Sequence, residues 1–203
     1  MVRLIFAITL SSIIFSLSAC TVSHQGNAKF VPPGKVFAGP LLNVSAPNSE
    51  GWQQLESSPS GMTFARKGEA PGESFAARVT RFDPPQTDSP EEFENLIVQG
   101  AIRDAETERF STKQFSHQYI STRGYPCVQM KNISEDRLAQ IGSNNTTSLI
   151  LENEHLYCRH PTKKDLGFAI TFSHRGKNLY SAFATEAQSF IDGVQVPSAS
   201  LSK

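Results

Sequence analysis

Between Leu166 and Ser173 the chain alternates without a break, with Leu166, Phe168, Ile170 and Phe172 on one side and Gly167, Ala169, Thr171 and Ser173 on the other. Successive side chains of a strand point to opposite faces, so this segment has one greasy face and one face of small residues. A greasy face must be covered by a second layer. Other strand-like segments are Gly51 to Leu55, Met62 to Lys67, Glu73 to Phe82, Phe110 to Ile120, Tyr125 to Asn132 and Leu149 to His160. Turn chemistry separates the early ones, at Ser57-Ser58-Pro59-Ser60-Gly61 and Gly68 to Gly72. Met62 and Phe64 share one face, as do Phe75, Ala77 and Val79, which describes an antiparallel meander.

The clearest helix start is Ser89-Pro90-Glu91-Glu92. Ser89 can cap the orphan amides, Pro90 suits the first helical position, and Glu92 completes a capping box. Phe93, Leu96, Ile97, Gly100 and Ala101 then recur at helical spacing. A second cap signature, Thr185-Glu186-Ala187-Gln188, precedes Phe190 and Ile191, and Gly193 offers a stop. The stretch Ser134 to Ser148 reads as irregular, with room for a short helix over Ser134 to Ile141 and turn residues at Gly142-Ser143-Asn144-Asn145. This order predicts an α+β domain, a single antiparallel β-sheet packed by one longer helix and one C-terminal helix. In element order, through Trp52, Phe64 and the helix after Ser89-Pro90, it resembles the fold shared by the extrinsic subunit P of photosystem II and the Mog nuclear-transport factors. No functional residue is carried over from that resemblance.

The first twenty residues carry an address. Met1-Val2-Arg3 precedes an apolar run, Leu4 to Leu17, whose fourteen residues would make a helix of about 21 Å, short of the roughly 30 Å needed to span a bilayer. The run reads as a secretory signal. It ends in Leu17-Ser18-Ala19-Cys20, which resembles the lipobox of bacterial lipoproteins. That resemblance implies cleavage between Ala19 and Cys20 and a thioether-linked diacylglycerol on Cys20. Thr21 in the next position resembles the class sorted to the outer membrane. The domain plan is then a lipoprotein signal peptide over 1–19, a lipidated terminus and flexible tether over 20–40, an α+β domain over 41–196 and a polar tail over 197–203. A tether of twenty residues reaches at most about 70 Å. Phe30, Val31, Val36 and Phe37 are unusual in a solvated linker and leave open their packing onto the domain or a partner.

Charge adds a negative constraint. Removing residues 1–19 takes Arg3 alone from balanced totals of 19 basic and 19 acidic residues, leaving a net charge of −1. Nucleic acid is therefore not expected as a partner, and electrostatic attachment to anionic lipid is unsupported.

With Cys20 lipidated, Cys127 and Cys158 remain as an even pair in an oxidising compartment, and a structural disulfide between them is expected. Two buried thiols or a redox pair are the alternatives, the latter without a Cys-x-x-Cys motif. His155, Cys158 and His160 invite a metal reading. Alternation along a strand places His155 opposite the other two, so no metal is expected. Ser173 and His174 are neighbours that point apart, Glu91 and Glu92 suit a helix N-terminus, and Glu152 and Glu154 suggest a solvated strand face. Two basic turns, Arg159 to Lys164 and His174 to Lys177, lie at opposite ends of one strand. No catalytic residue and no cofactor emerge. The expectation is a lipid-anchored envelope lipoprotein, periplasm-facing, that binds or assembles with an envelope protein partner. A small enzyme with a sequence-dispersed site, or a thiol redox protein, stands as the alternative.

Overall fold

The apolar alternation at Leu166 to Ser173 becomes the central strand of a large sheet. A computed structural model describes residues 29–103, 105, 107–141 and 145–197 of the chain. Its elements, in order, are β1 (Lys29–Phe30), β2 (Val36–Phe37), β3 (Asn43–Ser45), β4 (Gln53–Ser58), β5 (Gly61–Lys67), β6 (Ser74–Phe82), α1 (Pro90–Arg103), β7 (Phe110–Ile120), β8 (Cys127–Ile141), β9 (Asn145–Arg159), β10 (Gly167–Gly176), α2 (Phe183–Asp192) and β11 (Val194–Gln195). Eight of the strands form one sheet in the order β1-β4-β5-β6-β10-β9-β8-β7, every neighbouring pair antiparallel. The short β11, β3 and β2 form a second sheet. The α+β class and the two expected helices are thus present, with this small sheet as an addition.

Register fixes which face is buried. Across β10, Phe168 stands opposite Cys158, Ile170 opposite Val79 and Leu156, and Phe172 opposite Ala77. That face carries Trp52, Phe64, Phe75, Phe168, Ile170 and Phe172 into one core with Phe190 and Ile191 of α2 and Val44 and Val194 of the small sheet. The aromatic rings interlock, with Phe172 5.8 Å from Trp52 and 6.2 Å from Phe190. Each such buried ring contributes about 1.5–3 kcal/mol relative to exposure. On the opposite face α1 lays Phe93, Ile97 and Val98 over Val128 and Met130 of β8. The sheet is therefore the middle layer of three.

Helix ends follow local chemistry to different degrees. Ser89 caps α1 as expected, its Oγ accepting the Glu92 N–H at 3.1 Å, while Glu92 reaches back to the Asp88 N–H at 2.9 Å. At α2 the cap residue is Ala182, without a side-chain cap, and Thr185 lies inside the helix. Gln188, the expected partner of Thr185, instead donates to Asp192 Oδ1 at 2.9 Å.

Two expectations need correction. Residues 29–40, expected as tether, already belong to the fold: Phe30 pairs with Gln53, Val31 is buried, and Val36 and Phe37 pair with Ser45 and Val44. Two-residue strands leave no periodicity to read, which is why composition alone suggested a linker. Residues 134–141 and 145–148 are not irregular or helical, and 142–144 of the expected turn lie outside the described residues. They belong to β8 and β9, which pair from Cys127↔Cys158 to Ile141↔Asn145 with one irregularity between Asp136 and Ala139. Their polar residues find partners far away in sequence; buried Asp136, for example, receives both arms of Arg109 at 2.9 and 2.8 Å. This long hairpin reaches the β5–β6 turn, where a Cβ on Gly72 would lie 2.7 Å from the Ile141 side chain and where φ is +80°. Both facts call for glycine there.

The sulfurs of Cys127 and Cys158 lie 2.04 Å apart, at disulfide-bond distance, on residues directly opposite each other in β8 and β9. Both cysteines are fully buried. With a sequence separation of 31, chain-entropy reasoning assigns such a bridge roughly 3–4 kcal/mol. Unfolding in urea with and without reductant should show the oxidised protein more stable by about that amount, and a Cys127→Ala/Cys158→Ala variant should match the reduced protein.

Candidate functional site

The apolar stripe of β10 does not stop at Phe172: the next residue on that face is His174, and it is buried. An imidazole in a core must find partners for two ring nitrogens. Its Nδ1 lies 2.9 Å from Glu152 Oε2 and its Nε2 lies 3.2 Å from Glu73 Oε1. The ring thus bridges two acidic side chains, one at each nitrogen. Phe75 and Tyr180 flank the ring at 4.8 and 5.3 Å between centroids.

The network continues outward. The Tyr180 backbone N–H donates to Glu152 Oε2 at 2.7 Å, and its hydroxyl donates to Glu186 Oε1 at 2.9 Å. Arg66 donates from Nη2 to Glu186 Oε2 at 3.3 Å, with its guanidinium 4.1 Å from the Phe75 ring centroid. Glu73 Oε2 accepts the Ala70 N–H at 3.1 Å. That bond first, and His174 after it, hold the Glu73 carboxyl below its usual range. Burial, reinforced by Glu186, raises Tyr180. These groups wall a cleft of about 660 Å³ at one end of the sheet, with Phe30, Arg66, Lys67, Glu73 and Tyr180 in its lining.

A second, larger cleft of about 1030 Å³ lies between α1 and the sheet. Ile97, Ala101, Phe115, Met130, His155 and Tyr157 contribute to its walls. His155 Nδ1 lies 3.0 Å from Thr171 Oγ1, and desolvation pushes the ring down to about 4, so the imidazole is neutral at pH 7. An apolar cavity with a few polar groups and a shifted titratable residue has the features of a binding site.

The residues singled out in sequence are placed as follows. Ala19 and Cys20 lie outside the described residues. Cys127 and Cys158 meet in the disulfide, which occupies the sulfur that the metal reading needed. His155 faces the α1 cleft, while buried His160 lies with Nε2 3.3 Å from the Leu41 carbonyl and accepts the Thr162 N–H at Nδ1. Burial lowers His160, consistent with that neutral arrangement. Among the described residues, no three His, Cys, Asp or Glu side chains converge on a metal position. Glu91 and Glu92 lie in the first turn of α1. The solvated face proposed for Glu152 and Glu154 is corrected: both are buried, Glu154 accepting Gln129 at 2.5 Å and pairing with Lys131 at 3.2 Å. Arg159 is drawn inward, its guanidinium 4.6 Å from the Phe93 ring centroid, and not gathered into an anion site. Sequence reading missed Arg66, Glu73, Tyr180 and Glu186 altogether; extending the period of two from Phe172 to His174 was the available signal.

Removing the ring should expose how much the network matters. His174→Ala leaves Glu152 buried without its imidazole partner, and urea unfolding should show a loss of about 3–5 kcal/mol, the range for breaking a buried ion pair. A second expectation concerns pH. The unfolded chain protonates His155 near 6.5, the folded chain only near 4, so the fold loses stability as pH falls through that window and is unaffected by this group above it. His160 acts with the same sign. Unfolding free energies measured from pH 7.5 down to pH 4.5 should therefore fall less steeply in His155→Gln than in the parent.

The sequence matches no family model, and no curated protein matches it. In three dimensions the chain is similar to the Ran-binding protein Mog1p of Saccharomyces cerevisiae, at 11% identity over 84% of this chain and 95% of that one, with a TM-score of 0.47. It is similar also to a variant of the protein Mog1, at 13% identity over 84% and 96% of the chains with a TM-score of 0.45. A protein from Bacteroides thetaiotaomicron shares 14% identity over 81% of this chain and 48% of its own, with a TM-score of 0.34.

Proposed function

We propose that the protein is a lipid-anchored lipoprotein of the bacterial envelope, held at the periplasmic side of the outer membrane, whose α+β domain works by binding a protein partner. The observation that carries this reading is Leu17-Ser18-Ala19-Cys20, a thiol behind two small residues at the end of a short apolar run. Cys127 and Cys158 at disulfide distance suit the oxidising compartment to which such a signal delivers a chain. Their complete burial favours a structural bridge over thiol turnover, which needs access to sulfur.

Binding is favoured over catalysis by how the polar side chains are used. At the Arg66 cleft, His174, Glu73, Glu152, Tyr180 and Glu186 are committed to one another across β9, β10, α2 and two connecting segments. Such a closed network fixes shape. The α1 cleft combines apolar side chains such as Ile97, Phe115 and Met130 with polar ones such as Gln99, Asn132 and His155, which suits a partner segment of mixed character. Anchoring both molecules to one membrane raises their effective concentration, so a modest site suffices.

Intact mass of the protein from its native host should correspond to a chain beginning at Cys20 and carrying acyl groups, and Cys20→Ser should leave the protein without them. An unmodified Cys20 in the parent ends the proposal. In crosslinked envelopes, a stoichiometric partner should be recovered with the parent and lost with Ala101→Trp, which fills the α1 cleft; equal recovery with both would place binding elsewhere.

A further inference from the structure

The place of the first described strand limits how the domain can sit on a membrane. β1 opens at Lys29, and its pairing with β4 attaches the chain to one particular end of the large sheet. The register runs Phe30↔Gln53, Gln53↔Ala65, Lys67↔Ser74 and Ser74↔Arg175, so this end also holds the β5–β6 turn and the segment 177–180. The turn 161–165 between β9 and β10 lies at the other end.

From Cys20 to Lys29 there are nine residue steps, which reach at most about 30–32 Å. β10 has 10 residues and is about 33 Å long. The connecting chain at full stretch is therefore no longer than the sheet itself. Bringing the turn 161–165 to the bilayer would require that chain to run taut along the whole domain, whereas the end holding β1 reaches the bilayer at no conformational cost.

That end is dressed for an interface. Phe30 is 72% exposed and Leu179 58%, and Phe30 and Tyr180 wall the same 660 Å³ cleft. Lys29, Lys67 and Lys177 are exposed around them. Aromatic and apolar tips ringed by lysines suit the boundary between headgroups and acyl chains. Glu50 and Glu69 are exposed at the same end, so the apolar tips and not net charge supply the contact. Resting on the lipidation of Cys20 proposed above, we infer that the sheet end bearing Phe30 and Leu179 lies against the bilayer, with the turn 161–165 facing away from it.

The test uses full-length lipidated protein in vesicles of phosphatidylethanolamine and phosphatidylglycerol with brominated acyl chains. Phe30→Trp and Lys164→Trp place a reporter at each end, both at exposed positions, over the background of the fully buried Trp52. Emission added by Phe30→Trp should shift to the blue and be quenched several-fold more than that added by Lys164→Trp. Equal quenching, stronger quenching of Lys164→Trp, or none in either while the protein floats with the vesicles overturns the orientation. Protein that fails to float and carries an unmodified Cys20 overturns the anchor reading, and this inference with it.

Discussion

His174 sits where a strand that is otherwise committed to the core has to end in something polar. Each of its ring nitrogens meets a carboxylate from a different hairpin, Glu73 from the segment leading into β6 and Glu152 from β9. Glu152 in turn holds the backbone of Tyr180, and the Tyr180 hydroxyl holds Glu186 in α2. A buried carboxylate without partners would cost far more than the surrounding apolar contacts return, so these segments are obliged to meet. The end of the sheet and the approach to α2 are thus set by one hydrogen-bonded cluster.

On the opposite face the controlling term is packing. α1 is fastened where Phe93, Ile97 and Val98 meet Val128 and Met130, while Leu96 and Ile102 remain exposed. The cleft beneath it is what that one-sided attachment leaves uncovered. His117 of β7 meets Glu94 of α1 at 2.8 Å and ties the helix to the outer strand. The two clefts therefore differ in setting, one beside a polar cluster at the end of the sheet and one under a helix that covers part of a broad sheet.

What could be read from the sequence was what is decided locally. The alternation at Leu166 to Ser173 and the cap at Ser89 report the conformation of their own segments, and both are found in place. The pairing of Cys127 with Cys158 is what a count of the cysteines leaves once Cys20 is set aside. What escaped was decided between distant segments. Glu152 and Glu154 look solvent-facing until Gln129, Lys131 and His174 are brought across the ladder. Residues 134–141 look irregular because Asp136 is balanced by Arg109, whose place is fixed only by pairing of β7 with β8. β1, two residues long, has no pattern of its own and exists because β4 supplies an edge to pair with.

The strand order has a consequence for how the chain is assembled. β4-β5-β6 and β7-β8-β9 are each continuous meanders that can pair as they emerge, but β10 lies between them, bonded to β6 on one side and β9 on the other. Until residue 176 is available, each half presents an open inner edge, and the ring contacts of Phe172 with Trp52 and Phe190 cannot form. Closure so dependent on a late segment makes folding slow and nearly all-or-none. A polypeptide threaded across a membrane from its N-terminus would, by this design, stay pliable during most of its passage and lock only when the final third arrives.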